Sequence, residues 1–227
     1  MNQTGSGQVT DSARRGVGPL ISPLAESQRP LRQQVFELVR AAGQIPRVQL
    51  AKELGVSPAS VTTIAAELIE AGLIEEVSAA RDEDAGRGRP AVALGVRAGV
   101  HRVAGMKLSD REHTAVIVDF AGRLIADDVI PRTPGPMAVG EILDAVETLL
   151  DRVCAKANVR REDLSAIGLG VPGFVDCLEG QVLWSSVLAE RNVPLAALAQ
   201  SRLGLPVSID NDANLVALAE LWFGAGR

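Results

Sequence analysis

Five consecutive residues, Gly86, Arg87, Gly88, Arg89 and Pro90, place two guanidinium groups on a backbone with almost no other side chains. A finger of that kind is thin and cationic, and it fits a DNA minor groove about 6 Å wide, where narrow A·T-rich stretches concentrate negative potential. A solvated linker is the competing reading of the same five residues; their place at the tip of a loop between two β-prone runs favours the finger. Upstream, Ser57, Ser60, Thr62 and Thr63, with Ala59 and Ala66, offer hydroxyls and methyls on a helical stretch. Its first two turns hold no Arg, Asn or Gln, the types that make bidentate base contacts. Direct readout would then rest on hydroxyl and methyl contacts, with Arg47 and the finger supplying phosphate or groove contacts. The residues expected at DNA are Arg47, Ser57, Ser60, Thr62, Thr63, Arg87, Gly88 and Arg89.

The elements that must carry these residues are legible in the spacing of apolar positions. Leu31, Val35, Leu38 and Val39 recur at helical intervals until Gly43. A second short helix follows Pro46, with Leu50, Ala51 and Leu54 on one face, and Gly55 ends it. Ser57 and Pro58 form a cap and first-turn pair for a third helix, whose stripe of Val61, Ile64, Ala65 and Leu68 runs to Gly72. Two β-prone runs, 73–77 and 91–96, flank the loop 78–90 and predict a hairpin with a long tip. Three helices and a wing predict a winged helix-turn-helix over residues 29–97. Residues 1–28 mix Gly, Ser, Gln and Pro without periodicity and read as a flexible tail.

Composition bounds the rest. The 227 residues suffice for one large domain or for a small one joined to a medium one. With 47% hydrophobic but only 3% aromatic residues and no Tyr, the chain can build a core but not a stacking platform for single-stranded nucleic acid. The longest uncharged run, Leu54 to Ala66, is thirteen residues, short of the roughly twenty apolar residues of a membrane span. Two cysteines, Cys154 and Cys177, and two histidines, His101 and His113, without CxxC spacing, set aside a metal cluster or a disulfide framework. The N-terminus lacks the pattern of a secretory signal. A soluble, cytoplasmic protein without membrane contact is the expectation. Residues 29–97 carry nine basic and nine acidic side chains, so the whole net charge of −5 lies after residue 97. A neutral module implies modest DNA affinity unless two copies bind together.

From Val100 the signals change. Three strand-like runs, 100–108, 114–119 and 124–130, precede an amphipathic helix marked by Ile142, Leu143, Val146, Leu149, Leu150 and Val153. An apolar strand 164–171, a helix 194–203, a strand 207–210 and a helix 213–223 follow. A three-strand meander followed by alternating helices and strands predicts a mixed α/β sheet with ligand-holding loops at its strand ends. One of Asp210, Asn211 and Asp212 is expected to cap the last helix.

Taken together, the winged helix with its Gly-Arg-Gly-Arg-Pro tip, Gly170-Val171-Pro172-Gly173-Phe174-Val175-Asp176, Asn192-Val193-Pro194-Leu195, Leu205-Pro206-Val207, Asn211-Asp212-Ala213-Asn214 and Ala217-Leu218-Ala219-Glu220 resemble the ROK family of repressors and sugar kinases, over roughly residues 30–227. The resemblance implies a winged helix-turn-helix (α+β) followed by an α/β actin-like, ribonuclease H-like lobe, residues 98–227, truncated before the second lobe. It implies that Gly173 lies beside a sugar, that Asn211 hydrogen-bonds a sugar hydroxyl, and that Asp212 takes the place of the kinases' general base; a carboxylate within reach of a hydroxyl can accept its proton. Where the kinases have an Asp and a glycine pair for nucleotide phosphates, this sequence reads Met106-Lys107-Leu108-Ser109-Asp110, so the nucleotide site is expected to be lost. The family's second lobe and its zinc site of His and Cys residues would lie beyond Arg227, so no cofactor is expected in this chain. A sugar-responsive, non-enzymatic repressor that binds double-stranded DNA as a homodimer, with a small sugar as effector, is the leading expectation. A sugar kinase with an appended DNA-binding module and a defective, self-associating fragment are the alternatives.

Overall fold

The structure, a computed structural model, describes residues 30–78 and 92–224. The element order is α1 (Leu31–Ala42), β1 (Gln44–Pro46), α2 (Arg47–Leu54), α3 (Pro58–Glu70), β2 (Ile74–Ser78), β3 (Val92–Val96), β4 (Arg102–Lys107), β5 (Glu112–Asp119), β6 (Leu124–Pro131), α4 (Val139–Ala157), β7 (Ala166–Val171), β8 (Phe174–Asp176), β9 (Gln181–Trp184), α5 (Leu195–Leu203), β10 (Val207–Asn211) and α6 (Asp212–Phe223).

The first core forms as the apolar stripes require. Val35 and Val39 of α1, Leu50 of α2, and Val61, Ala65 and Leu68 of α3 are buried together with Ile45, Ile74 and Leu94. Gly55 takes a left-handed conformation at the α2 C-terminus (φ 65°), which turns the chain so that Val56 donates its N–H to the Ala51 carbonyl and α3 can start. β2 and β3 pair antiparallel, but the expected two-stranded hairpin is a three-stranded sheet of order β1-β3-β2, because Gln44–Pro46 also pairs with β3. Ile45 supplies the reason: its side chain is 2% exposed and belongs to the core. A three-residue strand next to Pro46 leaves too little alternation for a sequence to reveal.

The second sheet has the order β10-β7-β4-β5-β6, with β4, β5 and β6 antiparallel and β4, β7 and β10 parallel. One face carries Ala104, Met106, Ala115, Ile117, Ile167 and Leu169 under the buried stripe of α4. Asp128 of β6 is also buried and accepts hydrogen bonds from Arg152 and Lys156 of α4, a cation pair that lowers its pKa to about 2, the Lys156 bond contributing most. The other face is built differently. Gly105, Gly168 and Gly170 alternate with the core-facing residues of β4 and β7, and the Leu215 side chain of α6 sits directly over Gly170. The missing Cβ at Gly170 lets α6 approach the sheet. The short hairpin β8–β9 follows β7; its three- and four-residue strands are too short for periodicity to show in the sequence.

Candidate functional site

Two faces collect the residues expected to act. On α3, Ala59, Thr62, Thr63 and Ala66 are exposed, opposite the buried Val61, Ala65 and Leu68. Ser57 is the cap of this helix: its Oγ accepts the Ser60 N–H at 3.0 Å and lies 2.8 Å from the Ser60 hydroxyl. Thr62 donates its hydroxyl proton to the Pro58 carbonyl (2.8 Å), and Thr63 donates to that of Ala59 (3.2 Å). With the protons spent on backbone, both threonines face outward as acceptors flanked by methyl groups. That chemistry suits an exocyclic amino group or a thymine methyl in a major groove.

Arg47 opens α2 and does not stand alone. Its Nη2 donates to Glu76 of β2 at 2.7 Å, with Arg47 27% and Glu76 54% exposed. Exposed pairs of this kind contribute about 1 kcal/mol or less, so a phosphate can replace the carboxylate at small cost. Nothing in the sequence spacing tied Glu76 to Arg47; β2 brings it there. Arg87, Gly88 and Arg89 lie outside the described residues.

The second face is at the carboxyl ends of three neighbouring parallel strands, β4, β7 and β10. Parallel pairing sets Asn211 beside Val171, so the turn Pro172-Gly173 and the start of α6 meet. Of the three capping candidates Asn211 is the cap: Oδ1 accepts from the N–H of Ala213 (2.9 Å) and of Asn214 (3.3 Å), while Nδ2 donates to the Gly173 carbonyl at 2.7 Å. Asp210 accepts from the Asn211 N–H and from Asn214 Nδ2. Asp212, half-buried at the first helical position, has no side-chain hydrogen bond or ion pair among the described residues. Gly173 has φ 123°, and a Cβ on it would collide with the Trp184 carbonyl oxygen and stand 2.8 Å from the Ser185 Cα. Only glycine fits. Gly173, Asn211 and Asp212 are thus brought together, with one Asn211 N–H and the whole Asp212 carboxylate left for a ligand.

The loop after β4 closes the same end of the sheet, since Leu108 donates its N–H to the Gly170 carbonyl at 2.8 Å. Its polar backbone groups point inward. The Ser109 N–H goes to Nδ1 of His113 (3.3 Å), its carbonyl accepts from Arg132 Nη1 (3.1 Å), and its hydroxyl donates to the Glu112 carbonyl (2.5 Å). Arg132 also donates to the Gly135 carbonyl. His113 is buried, and burial, then the Arg132 charge, push its pKa below 6.5. With Nδ1 accepting, the ring proton is assigned to Nε2, which, like Nε of Arg132, is buried without a partner. Asp110 reaches the Ser186 hydroxyl at 3.4 Å. A phosphate cradle needs outward backbone N–H groups and no opposing carboxylate; the Ser109 N–H is committed inward and Asp110 brings negative charge. Sequence reasoning missed His113 and Arg132 as the residues that hold this loop, although His113, Ala115 and Ile117 share one inward parity on β5. Among the described residues no group of three or more His, Cys, Asp or Glu is placed to hold a metal ion, and no helix is long and apolar enough to cross a membrane.

Comparison with known proteins places this geometry. A family model described as "ROK family" matches residues 103–227, and one described as "Winged helix-turn-helix DNA-binding" matches residues 28–75. The chain is 32% identical over 180 residues to a putative xylose repressor of a Caldicellulosiruptor species, covering 79% of this chain and 44% of that protein. It is 29% identical over 196 residues to the N-acetylglucosamine repressor of Escherichia coli, covering 85% of this chain and 46% of that protein. A crystal structure of a ROK family transcriptional regulator, described as a homologue of the E. coli Mlc protein, superposes with a TM-score of 0.62 at 29% identity over 84% of this chain and 47% of that one. ROK sugar kinases also stand among the structural matches, at TM-scores below 0.5. The chain spans about half the length of the curated relatives it matches. With a match across residues 103–227 and a winged helix-turn-helix ahead of it, the chain belongs to the ROK family.

Proposed function

We propose that this chain is the DNA-binding module and first lobe of a sugar-responsive transcriptional repressor. Residues 29–97 are assigned to DNA binding and 98–227 to the effector lobe; residues 1–28, expected to be a tail, lie outside the described residues. The observation that carries the reading is the pairing of an exposed α3 face with a strand-end cluster, Gly173, Asn211 and Asp212, whose free groups suit a polyhydroxylated ligand. The repressors among the relatives support it and name xylose and N-acetylglucosamine as the first sugars to test. The operator is bound by a homodimer, since a module of zero net charge gains affinity from two copies. Sugar binding shifts the balance between DNA-competent and DNA-incompetent geometries.

The lobe is assigned no catalytic role. With the Ser109 N–H turned to His113 and Asp110 facing the same end, a nucleotide finds no cradle; Asp212 then accepts a sugar hydroxyl without onward phosphate transfer.

The test is fluorescence anisotropy of promoter-derived duplexes with and without millimolar xylose or N-acetylglucosamine, beside a phosphate-transfer assay with ATP and the same sugars. Salt-dependent, sequence-selective binding without sugar phosphate formation is expected. Absence of DNA binding at low salt would overturn the repressor reading, and sugar-dependent ATP consumption would replace it with a kinase.

A further inference from the structure

Helix α6 has an uneven set of attachments. Its N-terminal end carries Asn211 as cap and Asp212 as first residue, tied to Gly173 by the Asn211 Nδ2 bond. Its middle rests on the sheet through Leu215 over Gly170. No residue of this helix is buried, although Val216, Leu218, Leu221, Trp222 and Phe223 are all apolar. Near its C-terminal end, about 15 Å along the axis from Asp212 at 1.5 Å per residue, the Trp222 ring lies under the guanidinium of Arg40, 4.4 Å from carbon to centroid. Arg40 belongs to α1, the first helix of the DNA-binding module.

A second contact joins α1 to the lobe, and it is of a different kind. Phe36 stacks on Phe120 (centroids 5.5 Å apart, 28° between planes), and His101 meets the same ring edge-on at 5.1 Å. Phe120 sits in a rigid turn: its N–H donates to the Ala98 carbonyl, and Asp119 accepts from the Ala121 and Arg123 N–H groups at 2.9 Å. Between the two contacts a cleft of about 550 Å³, lined by Phe36, Val103, Val118, Phe120 and Trp222, leaves room for the helix end to shift.

We propose that α6 is a lever that couples the Asn211–Asp212 end of the lobe to the orientation of the DNA-binding module, with Phe36 on Phe120 as pivot and Arg40 on Trp222 as the driven contact. The inference rests on the repressor reading for its biological use but not for its mechanics. A packed aromatic stack on a hydrogen-bonded turn resists displacement, whereas the Trp222 end of α6 borders the open cleft and has room to move. A ligand that changes how Asn211 holds Gly173 tilts the helix, and the far end carries the largest displacement to Arg40. A cation over an indole face is directional enough to transmit it.

The test uses the whole chain labelled with 5-fluorotryptophan, which has two tryptophans, Trp184 and Trp222, assigned in fluorine NMR by Trp222→Phe. Asn211→Asp keeps an acceptor for the helix cap but removes the donor to Gly173, so α6 stays folded while its tether is cut. The Trp222 resonance is expected to move in Asn211→Asp and in Arg40→Gln; an unmoved Trp222 signal in Asn211→Asp overturns the lever. In a second arm, affinity for an A·T-rich 30-base-pair duplex is measured for Asn211→Asp, Arg40→Gln and the double variant. Non-additivity of about fivefold or more is expected of a coupled pair, and additive effects overturn the coupling. If the wild-type chain binds no duplex, the repressor reading falls while the fluorine arm still decides the lever.

Discussion

Asn211 ties the first turn of the last helix to the Gly173 carbonyl through a 2.7 Å hydrogen bond, while the same side chain caps that helix. Two residues thirty-eight positions apart are thereby one unit. Removing the side chain costs both the cap and the tether, so Asn211→Ala is expected to destabilise the chain by about 1–2 kcal/mol, the range of a lost cap. Asn211→Asp, which retains the cap, is expected to lose less. Urea unfolding of the two variants checks the order; equal losses would show that the cap adds nothing beyond the tether.

Asp212 stands next in the chain but stabilises it only through its charge near the helix N-terminus, about 0.3–1 kcal/mol. Asp212→Asn is therefore expected to melt close to the wild type while losing any sugar effect on DNA binding. A sugar response that survives the substitution would move the ligand elsewhere.

At the wing, Arg87→Ala and Arg89→Ala are each expected to lower the slope of log affinity against log salt by about one, with the larger loss on A·T-rich duplexes. An unchanged slope would make Gly86 to Pro90 a linker.

The Arg47–Glu76 pair gives the opposite sign. Glu76→Gln releases the guanidinium, so tighter binding and a slope steeper by about one are expected. If neither changes, Arg47 does not reach the DNA backbone.

His113 supplies a pH dependence. Its folded pKa lies below the unfolded value near 6.5, because burial and Arg132 oppose the imidazolium. The unfolded chain then takes up the proton first, and the stability due to neutral His113 is fully present above pH 6.5 and declines as pH falls below it. His113→Gln is expected to flatten that part of the curve. Denaturant titrations at several pH values between 5 and 8 test it, and an unaltered slope in the variant would sink the assignment.

Much of the fold was legible because periodic burial writes itself into residue order. Val61, Ala65 and Leu68 on α3, and Ile142, Val146, Leu149 and Val153 on α4, fall where the apolar spacing places them. Ser57 with Pro58, and Gly55 before them, mark helix ends through backbone chemistry that is local. The strands β1, β8 and β9 were not legible, since each is only three or four residues long, and β1 is held by a partner distant in sequence. Ile45 pairs with Leu94, forty-nine positions on, and no local pattern encodes that.

For the candidate site the division is sharper. Sequence alone determined which residue types are present: two arginines on a glycine backbone, hydroxyls without amides on α3, an Asn-Asp pair before a helix, and Lys107-Leu108-Ser109-Asp110 where glycines would be needed for phosphate. Tertiary structure decided which of their polar groups remain free. Parallel pairing of β7 and β10 spends the Asn211 amide on Gly173 and leaves Asp212 open, and the inward parity of β5 turns His113 onto the Ser109 N–H. A side chain carries the same donors and acceptors wherever it sits, but a hydrogen bond needs its partner within about 3 Å, and only the packed chain sets that distance.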